Sequence, residues 1–445
     1  MSSYLIKQAT LINEGEIFVS DVLIEDGRIA KIEREIDNDT KAIEINAEGL
    51  YLVPGAIDDQ VHFREPGLTH KGEIYTESKA AVAGGITSYM EMPNTNPQAT
   101  TVEELNKKYE RAGQCSIANY SFFMGTTNHN LEEIKKIDFK TVCGLKIFMG
   151  SSTGDMLVDN QNTLENIFTN VNTLIATHCE FDPQVKINQQ RIIEEYGEDI
   201  DATFHSIIRD EEVCYMSSKL AVDMAKKHNT RLHILHISSA KELALFTNKI
   251  PLKDKRITAE ACIHHLWFTD EDYKTKGNFI KWNPAVKTRY DRDNILEAVV
   301  DGRIDVIATD HAPHTIEEKS QSYLKAPSGG PLVQHAIQAM WDLHYQGKIT
   351  LETIVQKMSH NVADMFQIKD RGYIREGYYA DLVLINPKTT YKVTKSNILY
   401  KCGWSPFEGH EFKASVSKTF VNGELVYDNG KVIEGKIGMR LSFNR

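Results

Sequence analysis

The chain has 445 residues, a formal net charge of −11 and a sequence pI near 5.8. This acidic balance argues against nucleic acid or an anionic membrane surface as partner, because both need a basic patch, so a small molecule is expected. The amino-terminal residues lack the segments of a signal peptide, and no stretch approaches the ~18 apolar residues of a membrane span. We therefore expect a cytoplasmic protein. Six cysteines stand singly, which predicts neither disulfides nor a structural zinc site.

Both ends of the chain show the alternating apolar and polar residues of antiparallel strands. The alternation covers residues 4–53 and returns at 381–385 and 415–421. Turns are predicted at three pairs, Asp26-Gly27, Asn422-Gly423 and Asn429-Gly430. We predict a small β-sandwich domain that combines residues 1–55 and 375–445.

The middle of the chain, residues 56–374, alternates short apolar runs with helix-like or loop-like segments. The predicted strands are 56–61, 86–92, 117–123, 143–149, 174–177, 232–237, 257–262 and 306–309. Amphipathic segments such as 211–228 and 332–345 favour crossover helices between parallel strands. Eight such repeats predict an α/β fold, a (β/α)8 TIM barrel, whose functional residues lie at the carboxyl ends of the strands.

Polar residues stand at nearly all of these strand ends. They are Gln60, His62, Arg64, Asn94, Lys146, His178, His236 and Asp310. Alone, each histidine could be a half-buried structural residue, Lys146 a surface lysine and Asp310 a helix N-cap. Together, imidazoles and a carboxylate are the ligands of Zn²⁺ or a similar metal, and an open coordination position generates hydroxide at neutral pH.

Lys146 needs a separate explanation, because an ammonium group cannot bind a cation. It lies in the apolar run Leu145-Lys146-Ile147-Phe148-Met149, and burial would depress its pKa and leave a nucleophilic amine. Such an amine could react with carbon dioxide. We hypothesise a carbamylated Lys146 that bridges two metal ions, since the other strand ends offer few acidic residues.

Ten segments together carry a resemblance to the amidohydrolase superfamily. The first eight resemble class I dihydroorotases, and the last two resemble the carboxyl-terminal region of dihydroorotases and allantoinases. The ten segments are PGAIDDQVHFREPG (54–67), EMPNTNP (91–97), GLKIFMG (144–150), ATHCE (176–180), LHILHISS (232–239), TAEACIHHL (258–266), KWNPAVK (281–287), IATDHAPH (307–314), GYYADLVLINP (377–387) and WSPFEG (404–409). The resemblance spans nearly the whole chain. It implies a metal-dependent hydrolase of cyclic amides that contains one or two zinc ions.

The resemblance also implies a role for each matching residue. His62, carbamylated Lys146 and Asp310 would bind one metal ion, and Lys146, His178 and His236 the second. Arg64 would bind the substrate carboxylate in a bidentate pair beside Asn94, and Asn283 and His314 would complete the substrate pocket. The structural alternatives are a rim salt bridge between Arg64 and Glu65, and a turn role for Asn94.

One residue departs from the family pattern. The family has His-x-His on the first strand, whereas this chain has Gln60-Val61-His62. Gln60 could bind weakly through its carbonyl oxygen, Asp58 or Asp59 could shift in, or the first metal could be loose or absent. The ligands of the second metal are all present.

The implied reaction is the reversible cyclisation of N-carbamoyl-L-aspartate to L-dihydroorotate in pyrimidine (UMP) biosynthesis. A metal-activated hydroxide would attack the ring amide, with Asp310 as general acid and base.

Two alternative functions remain. One is another cyclic amidase, such as an allantoinase or hydantoinase, and the other is an inactive partner subunit, which Gln60 alone favours. A homo-oligomer or an association with an aspartate transcarbamoylase is possible. Two long connections, 181–211 and 315–331, are candidates for a covering loop.

Overall fold

Strands from both ends of the chain share one sheet in the computed structural model, which describes residues 2–39, 41–150, 154–158, 160–435 and 438–445. Its strands are β1 Tyr4–Asn13, β2 Glu16–Glu25, β3 Arg28–Glu33, β4 Ile43–Asn46, β5 Tyr51–Pro54, β15 Leu382–Asn386, β18 Ser415–Val421, β19 Glu424–Asp428 and β20 Lys431–Val432. They form a nine-stranded sheet in the order β20-β19-β18-β15-β5-β1-β2-β3, with β4 paired to β1. The short strands β16 Tyr391–Lys392 and β17 Glu411–Phe412 pair separately.

The three predicted turns connect antiparallel strands of this sheet. Both residues of each pair adopt positive φ, for example 50° at Asp26 and 79° at Gly27, as tight hairpins with right-handed strand twist require. At Gly423 a Cβ atom would lie 2.6 Å from the Cα of Gly27, so the two turns pack too closely for a side chain there. The predicted antiparallel pairing of β2 with β3 and of β18 with β19 is confirmed.

The middle of the chain contains parallel strands at the predicted positions. They are β6 Ala56–Val61, β7 Ile86–Glu91, β8 Asn119–Phe122, β9 Met124–Gly125, β10 Leu145–Phe148, β11 Leu174–His178, β12 Arg231–Ile234, β13 Ile257–Cys262 and β14 Val306–Ala308. The predicted strand 117–123 is interrupted at Phe123, which gives β8 and β9. A parallel sheet β6-β7-β8 stands beside a second one in the order β14-β13-β12-β11-β10-β9. A parallel bridge between Val61 and His311 lies between the outer strands β6 and β14.

Helices lie between successive parallel strands and also follow the last of them, β14. They are α1 Ile74–Ala83, α2 Val102–Cys115, α3 Leu131–Ile134, α4 Gln161–Asn170, α5 Asp182–Tyr196, α6 His205–Ile208, α7 Glu211–His228, α8 Ile263–Trp267, α9 Tyr273–Lys276, α10 Arg289–Asp301, α11 Ile316–Lys319, α12 Ala336–Tyr345, α13 Leu351–Val355 and α14 Asn361–Phe366. Helix α7 has the predicted bounds because Asp210 caps its first turn and Asn229 ends it at φ 53°. None of the helices in the described ranges is long and apolar enough to cross a lipid bilayer.

Candidate active site

One cavity of about 480 Å³ lies at the carboxyl ends of the parallel strands. Every residue predicted for the site lines it, namely His62, Arg64, Asn94, Lys146, His178, His236, Asn283, Asp310 and His314. Gln60 lines it as well. Sequence reasoning missed Lys71, Phe148 and Trp282, although Phe148 and Trp282 belong to segments that carried the family resemblance. Three of the predicted residues, Arg64, His236 and Asp310, have positive φ, a backbone strain that is common at functional sites.

Two pairs of potential metal ligands face each other in the cavity. His178 Nδ1 lies 2.9 Å from His236 Nε2, and His62 Nε2 lies 3.3 Å from Asp310 Oδ1. Burial holds the pKa of His62 and of His236 well below the usual histidine range, which favours their neutral rings. Two neutral ring nitrogens with facing lone pairs repel unless a cation lies between them or one carries a proton. This set of imidazoles and a carboxylate fits a borderline divalent metal.

Lys146 is only 1% exposed, and its Nζ lies 4.6 Å from the centroid of the Phe148 ring. Burial lowers the pKa of Lys146 to about 7, against the opposing effect of Asp310. A substantial fraction of this lysine is therefore an unprotonated amine near neutral pH, which is the form that reacts with carbon dioxide.

Neighbouring side chains fix which ring nitrogens are free to bind. Glu180 Oε2 lies 2.9 Å from His178 Nε2 and also accepts a hydrogen bond of 2.7 Å from Arg209. Asn94 Oδ1 lies 2.8 Å from His62 Nδ1. Since both oxygens are acceptors, they place the ring protons on these nitrogens and leave His178 Nδ1 and His62 Nε2 directed into the cavity.

We expect Glu180→Gln to weaken metal binding about 10- to 100-fold, because an amide no longer fixes the His178 ring as the carboxylate does. Titration with a competing chelator measures the change. Glu165→Gln is the matched control, since Glu165 also pairs with a histidine ring, His228, but on the surface. Equal metal affinity in the wild type and Glu180→Gln would contradict the orienting role.

Gln60 contacts Asp310 rather than presenting its carbonyl oxygen to the cavity. Its Nε2 donates to Asp310 Oδ1 at 3.1 Å, while its Oε1 accepts from Cys262 Sγ at 3.8 Å. Asp58 accepts from Thr309, Asp59 faces His233, and neither of these two carboxylates lines the cavity. Gln60 in this arrangement orients Asp310.

Burial raises the pKa of the Asp310 carboxyl to about 7, and nearby His178 and Lys146 are the main groups that act against this increase.

Arg64 also lines the cavity. Its Nε donates to the carbonyl of Pro313 at 3.0 Å, and its Nη2 lies 3.1 Å from His314 Nε2. Glu65 pairs with Arg111 at 2.7 Å, so the alternative of a salt bridge between Arg64 and Glu65 is wrong. No carboxylate in the described part of the chain lies within ion-pair distance of Arg64. A buried guanidinium without a carboxylate partner is suited to an anionic ligand.

The segment 315–331, one of the two candidates for a covering loop, borders the cavity. Pro327, Ser328 and Gly329 line the cavity. The buried Lys281 Nζ donates to the carbonyls of Tyr323 and Ala326 at 2.7 and 2.6 Å, and thereby holds the segment in place. The other predicted segment, 181–211, forms α5 and α6 and contributes no residue to the cavity lining.

Comparison with known proteins agrees with this fold. The family model "Amidohydrolase family" matches residues 51–426, so the chain belongs to the amidohydrolase family. It is 33% identical over 434 residues to a dihydroorotase of Carboxydothermus hydrogenoformans, covering 94% of this chain and 96% of that one. A dihydroorotase of Methanosarcina acetivorans is 29% identical over 436 residues, 95% and 91% of the two chains. The solved L-hydantoinase (dihydropyrimidinase) of Arthrobacter aurescens superposes with a TM-score of 0.93 at 25% identity, covering 99% of this chain and 100% of that one.

Proposed function

We propose that this protein is a dihydroorotase, which interconverts N-carbamoyl-L-aspartate and L-dihydroorotate in pyrimidine biosynthesis. The observation that carries the proposal is the buried Arg64 guanidinium, 7% exposed, in the same cavity as the histidines and Asp310. A cyclic amide that bears a carboxylate would place that group on Arg64 and its reacting amide beside Asp310. The relatives named dihydroorotase, which match along nearly the whole chain, support the same substrate.

The cavity residues would hold one or two zinc ions. His62, carbamylated Lys146 and Asp310 would be the ligands of one ion, and Lys146, His178 and His236 those of the other. When bound, the metal lowers the pKa of a water molecule and polarises the amide carbonyl. Gln60 turns its carbonyl oxygen toward Cys262, so the first ion would lack the ligand that the family's first histidine supplies and would have three protein ligands.

Asp310 transfers the proton of the reaction. In the hydrolytic direction it accepts a proton from the attacking water as the new carbon–oxygen bond forms, and it returns the proton to the ring nitrogen as the carbon–nitrogen bond breaks. Gln60 orients the carboxylate through its hydrogen bond to Oδ1. In the biosynthetic direction the same group helps to close the ring and release water. Arg64, Asn94, Asn283 and His314 hold the substrate throughout.

An assay of carbamoyl-aspartate cyclisation, with hydantoin, dihydrouracil and allantoin as competing substrates, tests the proposal. We expect turnover of carbamoyl-aspartate and dihydroorotate well above that of the neutral rings. Preferred turnover of a neutral ring would instead assign a hydantoinase-like or allantoinase-like activity, which the likeness to L-hydantoinase makes the second candidate. Metal-loaded protein without any activity would indicate a partner subunit.

We expect Arg64→Ala to raise the KM for dihydroorotate about 100-fold or more, because a charge-assisted pair with the substrate contributes roughly 1.5–3 kcal/mol even when only one hydrogen bond is counted. Turnover of a neutral cyclic amide changes little. Arg64→Lys should recover only part of the loss, since an ammonium cannot make the bidentate pair. Arg111→Ala, which removes an arginine outside the cavity, is the control. Equal losses on both substrates would contradict the role of Arg64.

We also propose that residues 1–55 and 375–445 make up a composite β-sandwich domain, and that residues 56–374 form a closed (β/α)8 barrel. The shared nine-stranded sheet supports the first part, and the bridge between Val61 and His311 supports the second. Association with a second copy or with an aspartate transcarbamoylase stays a prediction. Sedimentation of the purified protein, alone and mixed with a transcarbamoylase, tests it.

A further inference from the structure

A second cluster of ionisable side chains lies among the parallel strands, outside the cavity described above. Asp59 on β6, His233 on β12 and Glu260 on β13 are all completely buried, and none of them lines the cavity. Their potential ligand atoms lie within 4.8 Å of one another. His233 Nε2 is 3.1 Å from Asp59 Oδ2 and 3.7 Å from Glu260 Oε2. Two carboxylates and an imidazole thus converge at one point.

The hydrogen bonds around His233 direct its Nε2 at the two carboxylates. His233 Nδ1 lies 2.9 Å from Thr258 Oγ1, and the Thr258 hydroxyl donates to the carbonyl of Leu232 at 3.3 Å. Because that hydroxyl has only one hydrogen, Nδ1 must be the donor to Thr258. In the neutral ring, Nε2 then bears a lone pair that faces two carboxylates, an arrangement that is repulsive without a cation.

A proton on His233 Nε2 would not be enough to pair both carboxylates of this cluster. Although Nε2 and Asp59 Oδ2 are 3.1 Å apart, they are not aligned as a hydrogen bond, and both Asp59 oxygens and Glu260 Oε2 lack a hydrogen-bond partner. When both carboxyl groups are ionised, one imidazolium also leaves the cluster with an excess negative charge. No lysine or arginine among the described residues lies within ion-pair distance of Asp59 or Glu260. A buried excess charge of this kind is costly.

We propose that Asp59, His233 and Glu260 bind a divalent transition-metal ion of the zinc or manganese class, separate from the ions of the cavity. One imidazole and two carboxylates suit such ions, and a divalent charge balances both carboxylates. The ion joins β6 of the three-stranded sheet to β12 and β13 of the six-stranded sheet. Glu260 Oε1 also accepts from the backbone N–H of His236 at 2.8 Å, so the ion braces the strand end that carries a cavity histidine.

Anomalous diffraction from the wild-type protein, produced in cells supplied with zinc or with manganese, tests the site directly. We expect a peak among Asp59, His233 and Glu260 that appears above the absorption edge of the supplied metal and disappears below it. Normal scattering equivalent to one water molecule, or no density at all, would overturn the proposal. This result does not depend on the substrate of the cavity.

Metal analysis of variants gives a second test. In a His178→Ala, His236→Ala double variant, which removes cavity ligands, we expect metal to remain at the buried cluster. Adding Asp59→Asn to that double variant should remove about one ion per chain and lower the melting temperature. Metal content that does not respond to Asp59→Asn would contradict the proposal. Should the triple variant fail to fold, the wild-type diffraction experiment decides alone.

Discussion

Replacing Lys146 with alanine is expected to reduce dihydroorotase activity by about 10³-fold or more, because the change removes a group that stabilises charge at the reacting centre. Lys146 combines near-complete burial with a pKa lowered to about 7, so its amine is available to carbon dioxide at neutral pH. The resulting carbamate would supply the anionic oxygen ligand that we propose for the metal of the cavity. The variant should therefore also lose bound metal, measured by elemental analysis beside the kinetics.

Chemical rescue separates a ligand role of Lys146 from a purely electrostatic one. A short carboxylic acid such as acetate or propionate fits the space that Lys146→Ala vacates and supplies the missing oxygens, so we expect partial return of both metal and activity. Lys71→Ala is the matched control, since Lys71 is another lysine of the same cavity, 3.1 Å from His314 Nδ1. Its removal should leave metal content unchanged. Intact metal content and an unmodified lysine in the wild-type protein would contradict carbamylation.

The sequence was sufficient to predict most of the parallel strands, because most are short apolar runs with a polar residue at or near their carboxyl end. Strands β6 and β13 have the predicted bounds. Candidate site residues could be recognised for the same reason, since a polar side chain directly after a buried strand is costly unless it has a function. The substrate-binding roles of Arg64 and Asn94, and the choice of Asn283 and His314, came from the family resemblance rather than from the strand-end pattern.

Other features depend on contacts between residues that are distant in sequence. The side-chain direction of Gln60 is set by Asp310 and Cys262, which lie 250 and 202 residues away along the chain. Glu65 pairs with Arg111 instead of its neighbour Arg64, because α2 brings Arg111 to it. The buried cluster at Asp59 was also unpredictable, since nothing in sequence links that residue to His233 or Glu260.

We expect Asp310→Asn to lower kcat by about 10²- to 10⁴-fold, because an amide cannot accept and return the proton of the reaction. The KM for dihydroorotate should change far less, since Arg64 and the asparagines still bind the substrate. Burial raises the pKa of Asp310 to about 7, which suits a group that must be both base and acid near neutral pH. Steady-state kinetics in both directions measure the split, and the two directions should lose activity together.

Asp305→Asn distinguishes loss of catalysis from loss of stability. Asp305 lies just before β14, at the opposite end of the strand from Asp310, and is also buried. It forms a salt bridge of 2.6 Å with Lys255 and accepts a hydrogen bond of 3.0 Å from the backbone N–H of Ala259. Removing its charge should lower the melting temperature while kcat per folded molecule is retained, because breaking a buried pair leaves Lys255 without compensation. Asp310→Asn could instead behave like Asp305→Asn, with reduced stability and normal kcat. Asp310 would then be a structural carboxylate, and another cavity residue would have to transfer the proton.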